Sequence, residues 1–260
     1  MDLTPFAGIL SDGQSHSVSV RVYNANHHFA TTASLLLFLD HAARQVTGQV
    51  TKNSLLPSPT PGIQVQIDTV EGVTIGTVNI YSSRRFEVEG FVETSHGTVE
   101  TSIEQTIHFS SEQEFNITST SFAQNLNQRT RISSRTKTEA ENDMDRTTTR
   151  QFDWPLTLSF SAAPRPDGFT GRTTIIRQEY TDRERLSQGD DSAFFREISS
   201  VVTPQDTLIV QGSTVIGREG QASSHQYFSR DSSGACYSRT INAELGLVTS
   251  IVDGERCVDK

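Results

Sequence analysis

Hydrophobic and polar positions alternate along much of this chain. Between Arg85 and Phe109, Phe86, Val88, Gly90 and Val92 fall on one side of an extended backbone. Val99, Ile103, Ile107 and Phe109 do the same after the break Thr94-Ser95-His96-Gly97. Successive strand residues point to opposite faces, so two period-two runs around a short Gly-containing break predict a long antiparallel hairpin. Its other face carries Glu87, Glu89, Glu93, Glu100 and Glu104, which makes one side core and the other wet and acidic.

The same reading extends in both directions. Val18, Val20 and Val22 alternate with Ser17, Ser19 and Arg21 and predict a half-buried strand, and the continuous run Leu35–Leu39, ending at Asp40, predicts one buried on both faces. Strands are also expected around Val65 and Ile67, from Val73 to Ile80, from Phe115, and from Thr173 to Tyr180. Several short ones follow between Thr207 and Val252, with turns near Gly220, Ser232-Ser233-Gly234 and Gly246. Residues 129–150 contain almost no apolar side chains and predict an exposed hairpin or a mobile loop, and Asp182–Ser192 a polar insertion. Phe152, Trp154, Leu156, Leu158 and Phe160 share one face of a strand in which Pro155 cannot donate a ladder hydrogen bond, so an edge position or a bulge is expected. Only Leu35–Ala43 and Ala193–Ser199 hint at a helix. Pro57, Pro59, Pro61 and Gly62 oppose regular structure, which divides the chain into residues 1–60 and 61–260. The fold class is all-β, with antiparallel strands, long hairpins and very little helix.

Composition narrows the picture. A net charge of −9 without basic clustering argues against nucleic acid as a partner, and the run Arg129, Arg131, Arg135, Lys137 reads as a solvated face. No apolar run approaches the roughly 20 residues of a membrane helix, so no membrane partner is expected. The start, MDLTPFAGIL, has no basic region followed by an apolar one, so no secretory signal is read; it resembles mid-domain sequence. Cys236 and Cys257 flank a predicted hairpin and are expected to form a disulfide, the alternative being two unpaired thiols. Asn116-Ile117-Thr118 is a glycosylation sequon.

Chemical motifs are mostly missing. No phosphate-cradling glycine loop, dinucleotide fingerprint, Gly-x-Ser-x-Gly elbow or HExxH helix occurs, and no cofactor or metal is expected. His27-His28 point opposite ways on an extended chain and make a poor clamp. Glu100 and Glu104 share a strand face but lie roughly 13 Å apart at the usual rise, too far for a dyad on one strand. Glu87 and Glu89 are nearer and read as a wet face. Trp154 is the candidate for stacking on a sugar ring, although its place in a strict apolar alternation favours core packing.

Four runs carry a family resemblance: DLTPFAGILSDGQSHSVSVRV, the segment ending LLLFLD, GFVETSHGTVETSIEQTIHF and FDWPLTLSF. In this order, over most of residues 2–160, they resemble the plant and fungal peptide N-glycanase A family. The resemblance implies hydrolysis of the amide between Asn and the first N-acetylglucosamine of an N-glycan. It further implies glycopeptide or glycoprotein substrates, no cofactor, jelly-roll or β-sandwich domains, and a secreted or vacuolar parent. Residues 1–60 then correspond to the end of one jelly roll plus a linker, and 61–260 to a β-sandwich. Members of the family are longer, so this chain resembles a C-terminal portion, with a missing N-terminal domain as a further partner and low solubility expected for the isolated piece. Of the acidic positions in the family's motif only Asp40 is matched; Thr31-Thr32-Ala33-Ser34 stands where plant members often carry another Asp. Asp40, with His96 and Glu100, is the catalytic candidate. The competing expectation is a non-catalytic β-rich glycan-binding or structural module.

Overall fold

The computed structural model describes residues 2–19, 34–56, 58–141, 145–189 and 191–257. The all-β, antiparallel expectation is borne out. After a 3-10 turn (Thr4–Phe6) and the short helix α1 (Ala7–Leu10) come β1 (Thr47–Asn53), β2 (Gly62–Val70), β3 (Val73–Thr94), β4 (Gly97–Ile117), β5 (Phe122–Ala140) and β6 (Arg146–Pro164). They are followed by β7 (Thr170–Gln188), β8 (Asp191–Gln211), β9 (Thr214–Asp231), β10 (Cys236–Glu244), β11 (Leu247–Asp253) and a final 3-10 turn (Glu255–Cys257). Consecutive strands are neighbours from β3 to β11, and β1 and β2 share the free edge of β3. The described strands therefore form a meander, without the crossing connections of a jelly roll. β1 precedes the proline-rich stretch yet pairs with β3 beyond it.

The strands are long because Thr and Ser, interspersed with single charges, keep the alternation going where apolar residues run out. The expected short strands before and after the Arg85–Phe109 hairpin fuse into it, and residues 129–150 form the exposed hairpin of β5 and β6. Register is continuous: Ile63, Ile80, Ser111, Gln128, Leu156, Gln178, Val202, His225, Ile241 and Ile251 stand opposite one another in turn across the whole sheet. It follows that the sheet has one apolar and one charged face. Val88 faces Ile103, Ile107 faces Ile132, and Ile132 faces Phe152. The whole Phe152–Phe160 alternation thus lies on the side of Phe86, Val88 and Val92. Glu87, Glu89, Glu100 and Glu104 lie on the other.

Burial is concentrated at one corner. Phe86, Val88, Val92 and Ile103 are buried together with Thr101, Gln105 and Pro5, with Val210 at the far end. The Thr4–Phe6 turn packs against β1, β3 and β4. An alanine Cβ at Gly90 would lie 3.0 Å from both the Cβ and the carbonyl oxygen of Pro5, so glycine is what lets this turn seat on the sheet. Along the middle of the apolar face the side chains of β6 are half-buried, toward its edges Ile63, Val65, Ile67 and Ile251 are exposed, and among the described residues they are shielded by neighbours rather than by a second layer.

Four expectations are corrected. Leu35–Leu39 is irregular and exposed, Phe38 at 96%; it pairs with none of the described strands. Pro155 lies in the sheet interior, where the β6–β7 ladder keeps its register but skips Trp154 and Pro155. Neither Leu35–Ala43 nor Ala193–Ser199 is helical; the helical residues are those around Pro5. Val18 is irregular and exposed; Val20, Val22, His27-His28 and Thr31–Ala33 lie outside the described residues. The Cys236–Cys257 disulfide is formed, with Cα atoms 5.8 Å apart. It ties the final turn to the start of β10, beyond the hairpin whose turn residues Leu245 and Gly246 have φ of 49° and 80°, as a two-residue primed turn demands.

Candidate functional site

The β3–β4 hairpin closes tightly: Thr94 pairs with Gly97, leaving Ser95 and His96 as the two turn residues. Asp40 comes to this tip from the far end of the exposed leucine run. The Ser95 amide donates to Asp40 Oδ2 (2.7 Å), the Ser95 hydroxyl to Oδ1 (2.7 Å), and the Ala42 amide also to Oδ1 (3.0 Å). The hydroxyl bond from Ser95, then its amide bond, hold the Asp40 carboxyl down at about 2, because donors aimed at a carboxylate favour its charged form. Asp40 is therefore ionised at neutral pH.

His96 Nδ1 lies 3.0 Å from Ser95 Oγ. The single hydroxyl proton of Ser95 is already given to Asp40, so Oγ accepts here and Nδ1–H donates. The network thereby assigns the ring's tautomer. Two of the expected site residues, Asp40 and His96, are brought together through Ser95, which sequence reading placed only as part of a turn. The order is Asp–Ser–His, with the hydroxyl in the middle, which differs from a serine nucleophile activated by an adjacent imidazole.

Glu100 stands on the charged face, directly opposite Glu139 of β5 and Phe91 of β3. Directly opposed residues in an antiparallel pair have Cβ atoms about 4.5–5.5 Å apart, so two glutamates stand side by side here that no single strand could bring together. They line an open cleft of about 360 Å³ with Glu89, Phe91, Lys137 and Thr51. Lys137 forms an ion pair with Glu139, and Lys52 reaches Glu87 at 2.8 Å and Glu89 at 3.4 Å. Glu100 makes no hydrogen bond or ion pair with another described residue. Glu139 is the residue that sequence reading missed: its partnership depends on the register of two long strands, which no local pattern reports.

Trp154 lies on the opposite, apolar face. It stacks on Phe152 (centroids 5.3 Å apart, planes at 10°) and on Tyr180 (5.7 Å, 26°), while the Arg150 guanidinium covers the Phe152 ring at 4.7 Å. The Tyr180 hydroxyl reaches Asp182, which also accepts two bonds from Arg150. Asn116 of the sequon is exposed near the end of β4. Among the described residues no cluster of three or more His, Cys, Asp or Glu side chains fits a metal, and no helix is long and apolar enough to cross a membrane.

Compared with known proteins, the chain is 30% identical over 110 residues to peptide-N4-(N-acetyl-beta-glucosaminyl)asparagine amidase A of Prunus dulcis. The match covers 42% of this chain and 18% of that protein, so the chain spans less than a fifth of its relative's length. No family model matches the chain, and no solved structure does.

Proposed function

We propose that this chain belongs to a deglycosylating amidase that cleaves the bond between Asn and the first N-acetylglucosamine of an N-glycan on a glycopeptide. The observation that carries this reading is spatial. Three runs resembling the amidase family, the DLTPF turn, Asp40 and the GFVETSHG hairpin, lie far apart in sequence and meet at one corner of the sheet. The partial likeness to the almond amidase supports it.

Amide hydrolysis requires an activated water, donors for the developing oxyanion and a proton for the departing nitrogen. Water oxygen adds to the Asn side-chain carbonyl carbon, the C–N bond breaks, and the nitrogen leaves as a glycosylamine while Asp remains. Glu100 and Glu139, opposed across neighbouring strands, are the two carboxyls assigned to acid–base work, with Glu100 lining the cleft without a side-chain partner among the described residues and Lys137 beside Glu139. Asp40, held ionised, has the role of orienting Ser95 and, through it, His96.

A non-catalytic glycan-binding module is the second reading, favoured by the aromatic row Phe152–Trp154–Tyr180 beside Asp182 and Arg150. Incubation with an N-glycosylated peptide followed by mass spectrometry separates the two. Conversion of Asn to Asp, lost in a folded Glu100→Gln variant, supports the amidase. Glycan binding without conversion supports the module, and the absence of both conversion and binding overturns both readings.

A further inference from the structure

The molecule exposes 17845 Å². A compact 28.7 kDa chain exposes about 11,300 Å² by the usual scaling of surface with mass. The excess, roughly 6,500 Å² against the same scaling, is more than one chain's share, about 1,000–2,500 Å², of the ~2,000–5,000 Å² buried in obligate homodimers. A single layer amphipathic across its whole width contributes to it: among the described residues its apolar face has lateral neighbours but, beyond the corner under Pro5, no cover.

We infer that this apolar face binds the same face of a second copy, so that two single layers close into one β-sandwich. Charge is compatible with an identical partner. On the apolar face most ions are neutralised within the face: Asp182 by Arg150, Glu184 by Arg196, Asp206 by Arg218 and Asp253 by Arg239. Covering these pairs strands none of their charges; Arg84 and Arg172 share the face without a carboxylate partner among the described residues. On the opposite face, glutamates crowd β3 and β4 (Glu87, Glu89, Glu100, Glu104, Glu112 and Glu114) and bases such as Arg131, Arg135 and Arg183 follow on β5 and β7, so burying that face would cost the hydration of many charges. Symmetry favours an identical partner. β6, whose Phe152, Trp154, Leu156, Leu158 and Phe160 lie in a row on this apolar face, is near the middle of the strand order, where a two-fold axis brings β6 against its own copy. The layers then sit about 10 Å apart, the spacing of packed sheets. The Glu100 cleft stays on the outside, open to a substrate.

The test is sedimentation of the intact chain over a micromolar dilution series, read together with the emission of Trp154, the chain's one tryptophan. The expected mass is twice 28.7 kDa, with Trp154 emission moving to the red as the dimer dissociates. Leu158→Arg, on the apolar face of β6, is expected to weaken association roughly 30-fold or more, as loss of a central interface residue does. Thr157→Arg, its neighbour on the charged face, leaves association unchanged. A wild-type chain that stays monomeric with constant Trp154 emission overturns the inference. So does an open-ended series of larger species, or equal weakening by both variants. If Leu158→Arg does not fold, the wild-type dilution series still decides.

Discussion

Replacing Gly90 with alanine inserts one methyl group where the DLTPF turn meets the sheet. Its Cβ would stand 2.7 Å from the Gln49 carbonyl oxygen of β1 and 3.0 Å from Pro5. Neither neighbour can swing away, since one is strand backbone and the other a fully buried proline. Either β1 or the turn must move. Forcing an extra methyl into a packed site costs about 1–3 kcal/mol, against roughly 0.5–1 kcal/mol that alanine gains over glycine in backbone entropy. The net loss is between about 0 and 2.5 kcal/mol, centred on about 1, a fall in melting temperature of a few degrees for a domain of this size. Gly171→Ala is the control, because its Cβ would meet only the flexible Arg165 side chain at 3.4 Å. That substitution is expected to raise the melting temperature slightly. Calorimetric or circular-dichroism melts of both variants decide the matter. A Gly90→Ala protein that melts above the wild type refutes the seating of the turn on the sheet.

Ile103→Ala removes a fully buried side chain at the same corner and is expected to cost about 2–5 kcal/mol in denaturant unfolding. Reducing or deleting the Cys236–Cys257 bond, whose partners are 21 residues apart, releases a loop worth roughly 3 kcal/mol on the chain-entropy account, visible as a lower melting temperature in reductant. The Asp40 carboxyl is lowered from 3.8 to about 2, so its grip on Ser95 is complete above the ordinary carboxyl range and fades as pH falls through about 2. Hydrogen exchange at the Ser95 amide is expected to accelerate over that interval in the wild type, and to be fast and free of this titration in Asp40→Asn.

The parts legible in the sequence were those that a strict local period reports. The β3–β4 hairpin, the Phe152–Phe160 alternation and the cysteine pair each carry their own signal, and each is present. Leu35–Leu39 misled because an apolar run encodes a wish for burial, not the neighbour that grants it, and none of the described strands pairs with it. Pro155 misled because one missing donor can be absorbed as a gap in a long ladder whose other pairings hold the register. At the candidate site, Asp40 and His96 were visible as motif residues. Their link through Ser95, and the facing of Glu100 by Glu139, arise from a turn geometry and a cross-strand register that only the folded chain supplies.

The gap at Pro155 has a counterpart. Across β7, the pairing with β8 skips Ile176 and Arg177, opposite Thr203 and Pro204. Two prolines on the flanking strands thus interrupt both ladders of β7 within a few residues of each other, near the middle of the sheet. Each interruption removes hydrogen bonds worth about 1 kcal/mol apiece, and together they perforate the sheet along one line. Amide exchange is therefore expected to run faster along that line of β7 than in the unbroken stretches of ladder on either side of it.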